Sequence, residues 1–235
     1  MPLLAGYHRP ETLDEAVALL SQPQHIPLAG GTVINADRHR SGYVGVDLQS
    51  LGLNNIQFEG SSASIGAMVR VADIEHTFPH DLLGVAARRE LPSTLRTIGT
   101  IGGAVAAAGQ ESLLLAALLA SSATVTTADG KSTPLDEFLR SPSGLITTVE
   151  LHTSTDWAFE HTGRTPMDTP IVAVAGRRSS SGPILAITGV SSVPELARSL
   201  DEVEQLIPFS DFRGSSEYRH HLAVKLSQRV LGALS

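Results

Sequence analysis

The chain has 235 residues, 42% hydrophobic and 17% charged, long enough to bury a core and too apolar for a disordered or collagen-like polymer. Seventeen basic against twenty-four acidic residues leave a net charge of -7, which argues against a nucleic-acid backbone or an anionic membrane as the main partner. The absence of cysteine excludes disulfides, an iron–sulfur cluster on this chain, a cysteine-type zinc site and a thiol nucleophile.

Met1 to Pro10 lacks a basic stretch followed by an apolar core, so no secretory signal is expected and a cytoplasmic setting fits. Thr12 and Glu15 have capping-box spacing, and Leu13, Ala16, Val17, Leu19 and Leu20 then recur at helical intervals until Pro23. Ile26 to Ala29 reads as a strand running into a tight turn at Gly30-Gly31-Thr32. Further strands are expected at Tyr43 to Asp47, Asn55 to Glu59 and Ala63 to Ala67. Helices follow at Val71 to Thr77 and Asp81 to Leu91, separated by Pro79. A second glycine cluster, Gly99, Gly102 and Gly103, precedes an Ala/Leu-rich helix from Ser112 to Ser121, which is far shorter than the ~20 residues a bilayer requires.

Strands at Val125 to Ala128 and Leu145 to Thr153, with a short helix at Leu135 to Arg140, close this region. Turn formers and charge from Ser154 to Pro170 mark a boundary, giving an expected division into residues 1–155 and 156–235. Beyond it, Ile171 to Gly176 and Ile184 to Val190 form an expected hairpin about the serine-rich turn. Two helices are then expected, Val193 to Leu206 and Ser215 to Leu234, the second with Tyr218, Leu222, Leu226 and Val230 on one stripe. Strands and helices without strict alternation indicate an α+β class.

Several chemistries fail on spacing. Gly130-Lys131-Ser132 lacks the upstream glycine of a P-loop and reads as a hairpin turn. Gly99, Gly102 and Gly103 do not form the dinucleotide fingerprint, and neither a zincin motif nor a nucleophile elbow occurs. His76 and His80 flank Pro79, which breaks the helix that would align them, and adjacent His220 and His221 point apart. No catalytic residue and no metal ligand is assigned. There remain two double-glycine turns, Ala29-Gly30-Gly31-Thr32 and Thr100-Ile101-Gly102-Gly103, about seventy residues apart. Glycine there permits positive φ and lets backbone N–H groups converge into an anion-binding nest suited to a diphosphate.

Their context is more specific than either turn alone. Tyr7-His8-Arg9-Pro10-Glu11-Thr12-Leu13-Asp14-Glu15-Ala16, Pro27-Leu28-Ala29-Gly30-Gly31-Thr32, Val46-Asp47-Leu48, Ile65-Gly66-Ala67 with Ala72-Asp73-Ile74-Glu75, and Thr97-Ile98-Gly99-Thr100-Ile101-Gly102-Gly103 occur in that order. Together they resemble the FAD-binding (medium) subunit of the molybdenum hydroxylases, the xanthine dehydrogenase and carbon monoxide dehydrogenase family. Asp211-Phe212-Arg213-Gly214-Ser215-Ser216-Glu217-Tyr218-Arg219 resembles that family's C-terminal signature. The resemblance implies a vanillyl-alcohol-oxidase-type FAD-binding fold of two subdomains, about 1–55 and 56–155, followed by a small C-terminal α+β domain. It implies FAD as cofactor and, as partners, an iron–sulfur subunit that donates electrons and a large molybdenum-binding subunit. By position, Ala29, Gly30, Gly31 and Thr32 would cradle one part of the FAD diphosphate, and Thr100, Ile101, Gly102 and Gly103 would supply a second nest.

The chain departs from the family pattern at three places. Ala104 stands where the family usually has Asn, and Leu113 where it usually has a cofactor-directed Asp. Glu111 lies two residues from Leu113, about 200° away on a helix. Glu160 stands where some members have a flavin-contacting Lys, while Arg164 and Asp168 match that stretch and suit an ion pair. Two readings follow: a retained flavin site, or a degenerate subunit that binds flavin weakly or not at all and serves as a scaffold or in a repurposed role.

Overall fold

A computed structural model describes residues 4–37, 41–162 and 168–235. Arg164 falls outside them, so its expected pairing with Asp168 does too. The chain opens with strand β1 (Leu4–His8), helix α1 (Leu13–Leu20), strand β2 (His25–Leu28), a 3-10 turn (Ile34–Ala36) and strand β3 (Tyr43–Asp47). Thr12 caps α1 as its spacing requires: its hydroxyl accepts from the Glu15 N–H at 3.3 Å. The Glu15 carboxylate reaches back to the N–H of Glu11 at 3.1 Å, one residue before the cap. The strands form a parallel sheet in the order β1-β3-β2. The central strand is the buried one, so β1, exposed along most of its length, carries no apolar run to betray it.

The middle of the chain supplies β4 (Ile56–Glu59), β5 (Ser62–Gly66), α2 (Val71–Thr77), α3 (Leu82–Glu90), α4 (Ser93–Arg96), α5 (Ile101–Ala107), α6 (Leu113–Ala120), β6 (Thr124–Thr127), β7 (Ser132–Pro134), α7 (Leu135–Arg140) and β8 (Ile146–His152). Its five-stranded sheet runs β4-β5-β8-β6-β7. Every residue of α6 is buried, which is why its sequence is apolar all round. The first turn of α6 needs acceptors in a dry place. Ser112 caps it through Leu115 N–H at 3.1 Å, and the buried Glu90 carboxylate accepts from Ser112 Oγ at 2.7 Å and from Leu114 N–H at 2.9 Å.

The remainder forms β9 (Trp157–Thr162), β10 (Val172–Ser179), β11 (Gly182–Thr188), β12 (Glu195–Ala197), α8 (Leu200–Glu204) and α9 (Ser216–Ala233). Its antiparallel sheet is ordered β12-β11-β10-β9, and the central strands β10 and β11 are buried on both faces. Ala173, Ala175 and Ala186 join the core around α6, whereas Val172, Val174, Leu185 and Ile187 pack with Leu226 and Val230 of α9. The expected hairpin forms, closed by Ser179 opposite Gly182.

Two expectations are corrected here. The helix expected over Val193 to Leu206 is instead strand β12 followed by the five-residue α8. Leu196 and Ala197 pair with β11, and the helix cannot begin before Ser199, whose hydroxyl accepts the Glu202 N–H at 3.3 Å. Glu202 in turn accepts the Arg198 N–H at 2.7 Å, a capping arrangement that was present in the sequence. The buried stripe of α9 is rotated from the expected one: Tyr218 is exposed, while Arg219, Ala223, Leu226, Ser227 and Val230 are buried.

Arg219 explains the rotation. Its fully buried guanidinium donates to Ile171 O at 3.0 Å and Gly189 O at 2.8 Å, and to both Asp211 carboxylate oxygens at 2.7 Å. It also lies 4.4 Å over the Phe209 ring. The hydrogen bonds from Arg219 hold the Asp211 carboxyl below the usual carboxylate range.

Candidate functional site

The two double-glycine turns meet. A Cβ built on Gly30 would stand 1.9 Å from the Ile98 carbonyl oxygen and 3.0 Å from Gly99 Cα, so the first turn lies directly against the chain entering the second. Gly31 has φ +69°, the conformation anticipated for this turn, and Asn35 N–H then bonds to its carbonyl at 2.9 Å. Among the described residues, no hydrogen bond is donated by the backbone N–H of Gly30, Gly31, Thr32 or Val33. These four successive donors, with one residue left-handed among them, have the makings of an anion nest.

The second turn is built on another plan. Thr100 is the N-cap of α5, its hydroxyl accepting from the Gly103 N–H at 3.1 Å. The N–H of Ile101 donates to Val69 O at 3.0 Å and that of Gly102 to Ala67 O at 2.9 Å. Three donors that the sequence suggests are free are therefore engaged within the protein. Neither Gly102 nor Gly103 has a positive φ. Gly102 is glycine for closeness: a Cβ there would meet Ala67 Cβ at 2.7 Å and Ala67 O at 2.8 Å. Ile101 points into the core and is fully buried.

A cleft of about 690 Å³ opens beside both turns, within the size range of small-molecule sites. Ala29, Gly30, Gly31 and Thr32 line one side, and Thr100, Gly102 and Gly103 line another. The rest of the wall is mostly apolar, including Leu48, Ala67, Ala106, Phe138, Leu145 and Ile146. A second cleft of about 440 Å³ shares Ala29, Gly30, Met68 and Thr100 with the first. It adds the polar side chains of Arg9, Gln49, Asn54, Arg70 and Asp73. Arg9 is steadied by Nε donating to Ser50 Oγ at 2.8 Å. Asp47, which lies 4.0 Å from it, accepts from Tyr7 OH and from Gln49 N–H at 2.9 Å.

Of the eight residues singled out in the sequence, seven border one cleft and Ile101 supports it from behind. The three departures lie elsewhere. Ala104 packs against the core, Leu113 is 2% exposed within it, and Glu160 stands 3.8 Å from Arg229. Glu111 precedes α6 and is paired with Arg213. His76 Nδ1 is bonded to Ala72 O at 2.6 Å, and His220 Nε2 to Glu204 O at 2.9 Å. The apolar walls and the flanking polar groups escaped motif reasoning. Their trace lay in the runs around the turns: Arg9, Leu48, Ala67, Asp73 and Ile98 all fall within the runs that carry the resemblance and line one cleft or the other.

Comparison with known proteins gives this geometry a context. The family described as the FAD binding domain in molybdopterin dehydrogenase matches residues 3–151. The uncharacterized protein YgfM of Escherichia coli K12 is 26% identical over 246 residues, covering 94% of this chain and 92% of that protein. Among solved structures, a carbon monoxide dehydrogenase chain from Hydrogenophaga pseudoflava superposes with a TM-score of 0.87 at 23% identity, covering 100% of this chain and 98% of that one. Quinoline 2-oxidoreductase from Pseudomonas putida 86 gives 0.82 at 22% identity, covering 98% of each chain. These likenesses establish the α+β fold over the whole length.

Proposed function

We propose that this chain, which belongs to the family of FAD-binding domains in molybdopterin dehydrogenases, is the electron-relaying flavin subunit of a molybdenum hydroxylase-type oxidoreductase. The observation that carries the reading is the first turn: the unengaged N–H groups of residues 30–33 belong to a stretch that lines a cleft, and Thr100, Gly102 and Gly103 of the second turn border the same cleft. The residues fit the cofactor. Ala29, Gly30, Gly31 and Thr32 would hold the diphosphate, and Thr100, Gly102 and Gly103 would let it approach closely, with Ile101 anchoring that turn. The apolar walls would take the ring systems. Bound FAD supplies both one- and two-electron transfer, and the protein's part is to hold and orient it.

The chain has no cysteine, so cluster ligands for an electron donor belong to another chain. An iron–sulfur subunit and a large molybdenum-binding subunit are the partners in this reading, in the cytoplasm, with an external acceptor taking the electrons. Among the described residues no helix is long and apolar enough to cross a membrane.

The test is a visible absorption spectrum of the purified chain with added FAD, together with co-purification from the native host. Flavin bands that survive desalting, with a cysteine-rich partner in the complex, are expected. The scaffold reading draws on Ala104, Leu113 and Glu160, none of which offers the cleft a polar side chain. It wins if the protein stays colourless after FAD addition.

A further inference from the structure

The described residues that line both clefts all lie between Arg9 and Ile146, so the last sheet and α9 contribute nothing to them. This part of the chain nonetheless carries the two most exposed large hydrophobics among the described residues. Ile207 is 92% and Phe212 97% exposed, and both sit in the loop between α8 and α9. An apolar side chain on a floppy loop is unremarkable, but this loop is pinned. Pro208 is buried, Phe209 stacks on Arg219, Asp211 takes the double hydrogen bond from Arg219, and Arg213 is tied to Glu111 and to the carbonyl of Thr169. Ser210 Oγ accepts from the Ser216 N–H at 2.8 Å, fastening the loop to the start of α9. The protein thus fixes the backbone around Ile207 and Phe212 without giving either side chain anything to cover. Apolar groups held in place in advance lose little entropy on association, which is the property of binding anchors.

The charge flanking the loop in sequence is mostly acidic, with Arg198 the exposed exception. Asp201 and Glu204 precede it and Glu217 follows it, all three exposed and, among the described residues, without an ion pair. The two cations nearest in sequence, Arg213 and Arg219, are already spent on Glu111 and Asp211. A second copy meeting this face through a two-fold axis would set these acids against themselves. We propose that the loop is a docking site for a different protein chain, one that presents an apolar pocket for Phe212 and Ile207 within a rim of Lys and Arg. This rests on the reading that the chain works with other subunits, and the test separates the two.

Full-length tagged chain, wild type and Ile207→Ser/Phe212→Ser, is expressed in the native host and compared by size exclusion, subunit mass spectrometry and FAD titration. Wild type should elute with another chain in fixed ratio, and the variant should carry about tenfold less of it or lower, with unchanged FAD binding and far-UV circular dichroism. A photo-crosslinker at position 212 should attach to an apolar pocket of that chain flanked by basic residues, and Glu204→Lys/Glu217→Lys should weaken the association. Retention of the partner by the serine variant overturns the docking site while leaving the multi-subunit reading intact. So does a crosslink to a second copy of this chain. Wild type that elutes without another chain overturns both.

Discussion

The two double-glycine turns have similar sequences and different physics. In the first, Gly31 is glycine because φ is +69° and Gly30 because Ile98 O leaves no room for a Cβ, and the backbone donors stay open. In the second, glycine only allows a helix start to press on Ala67, and the donors of residues 101–103 are consumed in doing so. One turn is an open donor array and the other a wall. The difference shows that a glycine pair in sequence specifies closeness or handedness but not which, because the deciding atoms (Ile98 O, Ala67 O, Val69 O) come from segments far along the chain.

The largest expected effect attacks the wall from behind. If the second turn needed only a restored polar contact to become a second array, Ala104→Asn with Leu113→Asp would tighten FAD binding. The geometry predicts the opposite sign. Leu113 opens the fully buried α6 beside the Glu90 carboxylate, so an Asp there loses apolar burial and places a second acid in the core. Destabilisation of ~4 kcal/mol by urea titration is expected, without gain in FAD affinity by calorimetry. Tighter binding in a folded variant would show that the pocket reaches α6 and that the wall description is wrong.

Much of the scaffold was legible from the sequence. The helices at 71–77 and 135–140, the apolar α6 and the hairpin at residue 180 follow from local caps and apolar runs that tertiary context does not override. β1, β9 and β12 were not legible, since edge or polar strands such as Trp157–Thr162 have no alternating pattern to read. At the site, the two turns that meet beside the cleft were marked by their glycines. The apolar walls were not, because Ala106, Leu145 and Ile146 look like any core residues until the cleft is seen.

A medium effect separates the two uses of glycine inside the first turn. Gly30→Ala puts a Cβ into a backbone carbonyl that cannot swing away, so ~2–3 kcal/mol of stability and FAD binding should be lost together. Gly31→Ala meets only the Asn35 amide end at 2.8 Å, a flexible group, and loses about 1–2 kcal/mol from its left-handed φ. Its FAD affinity should still fall by about tenfold, since relaxing φ dissolves the array. Thermal unfolding and FAD titration on both variants check this. Equal stability losses with FAD binding unaffected in Gly31→Ala would remove the first turn from the site.

The smallest expected effect is a slope against pH, and it asks whether the start of α6 is capped by a neutral or a charged group. Burial pushes the Glu90 carboxyl above its ordinary value of 4.5, outweighing the hydrogen bonds from Leu114, Ser112 and Leu113 that favour the anion. Between the ordinary and the raised value the folded chain keeps a proton that the unfolded chain has released, so this group's stabilisation is complete below the ordinary value and is lost as pH rises through the folded one. Asp211 has the opposite sign, because Arg219 lowers its pKa and its contribution is lost as pH falls. Glu90→Gln isolates the first of these. The amide oxygen can still accept from Leu114 N–H while its NH₂ donates to a reversed Ser112 hydroxyl, so the start of α6 stays capped. Urea midpoints measured across the acid-to-neutral range should then lose the downward component seen in wild type above the ordinary glutamate value, with the Asp211 component at lower pH unchanged. An identical profile in wild type and Glu90→Gln would mean that Glu90 does not carry this proton through folding and that α6 is capped by a carboxylate of ordinary acidity.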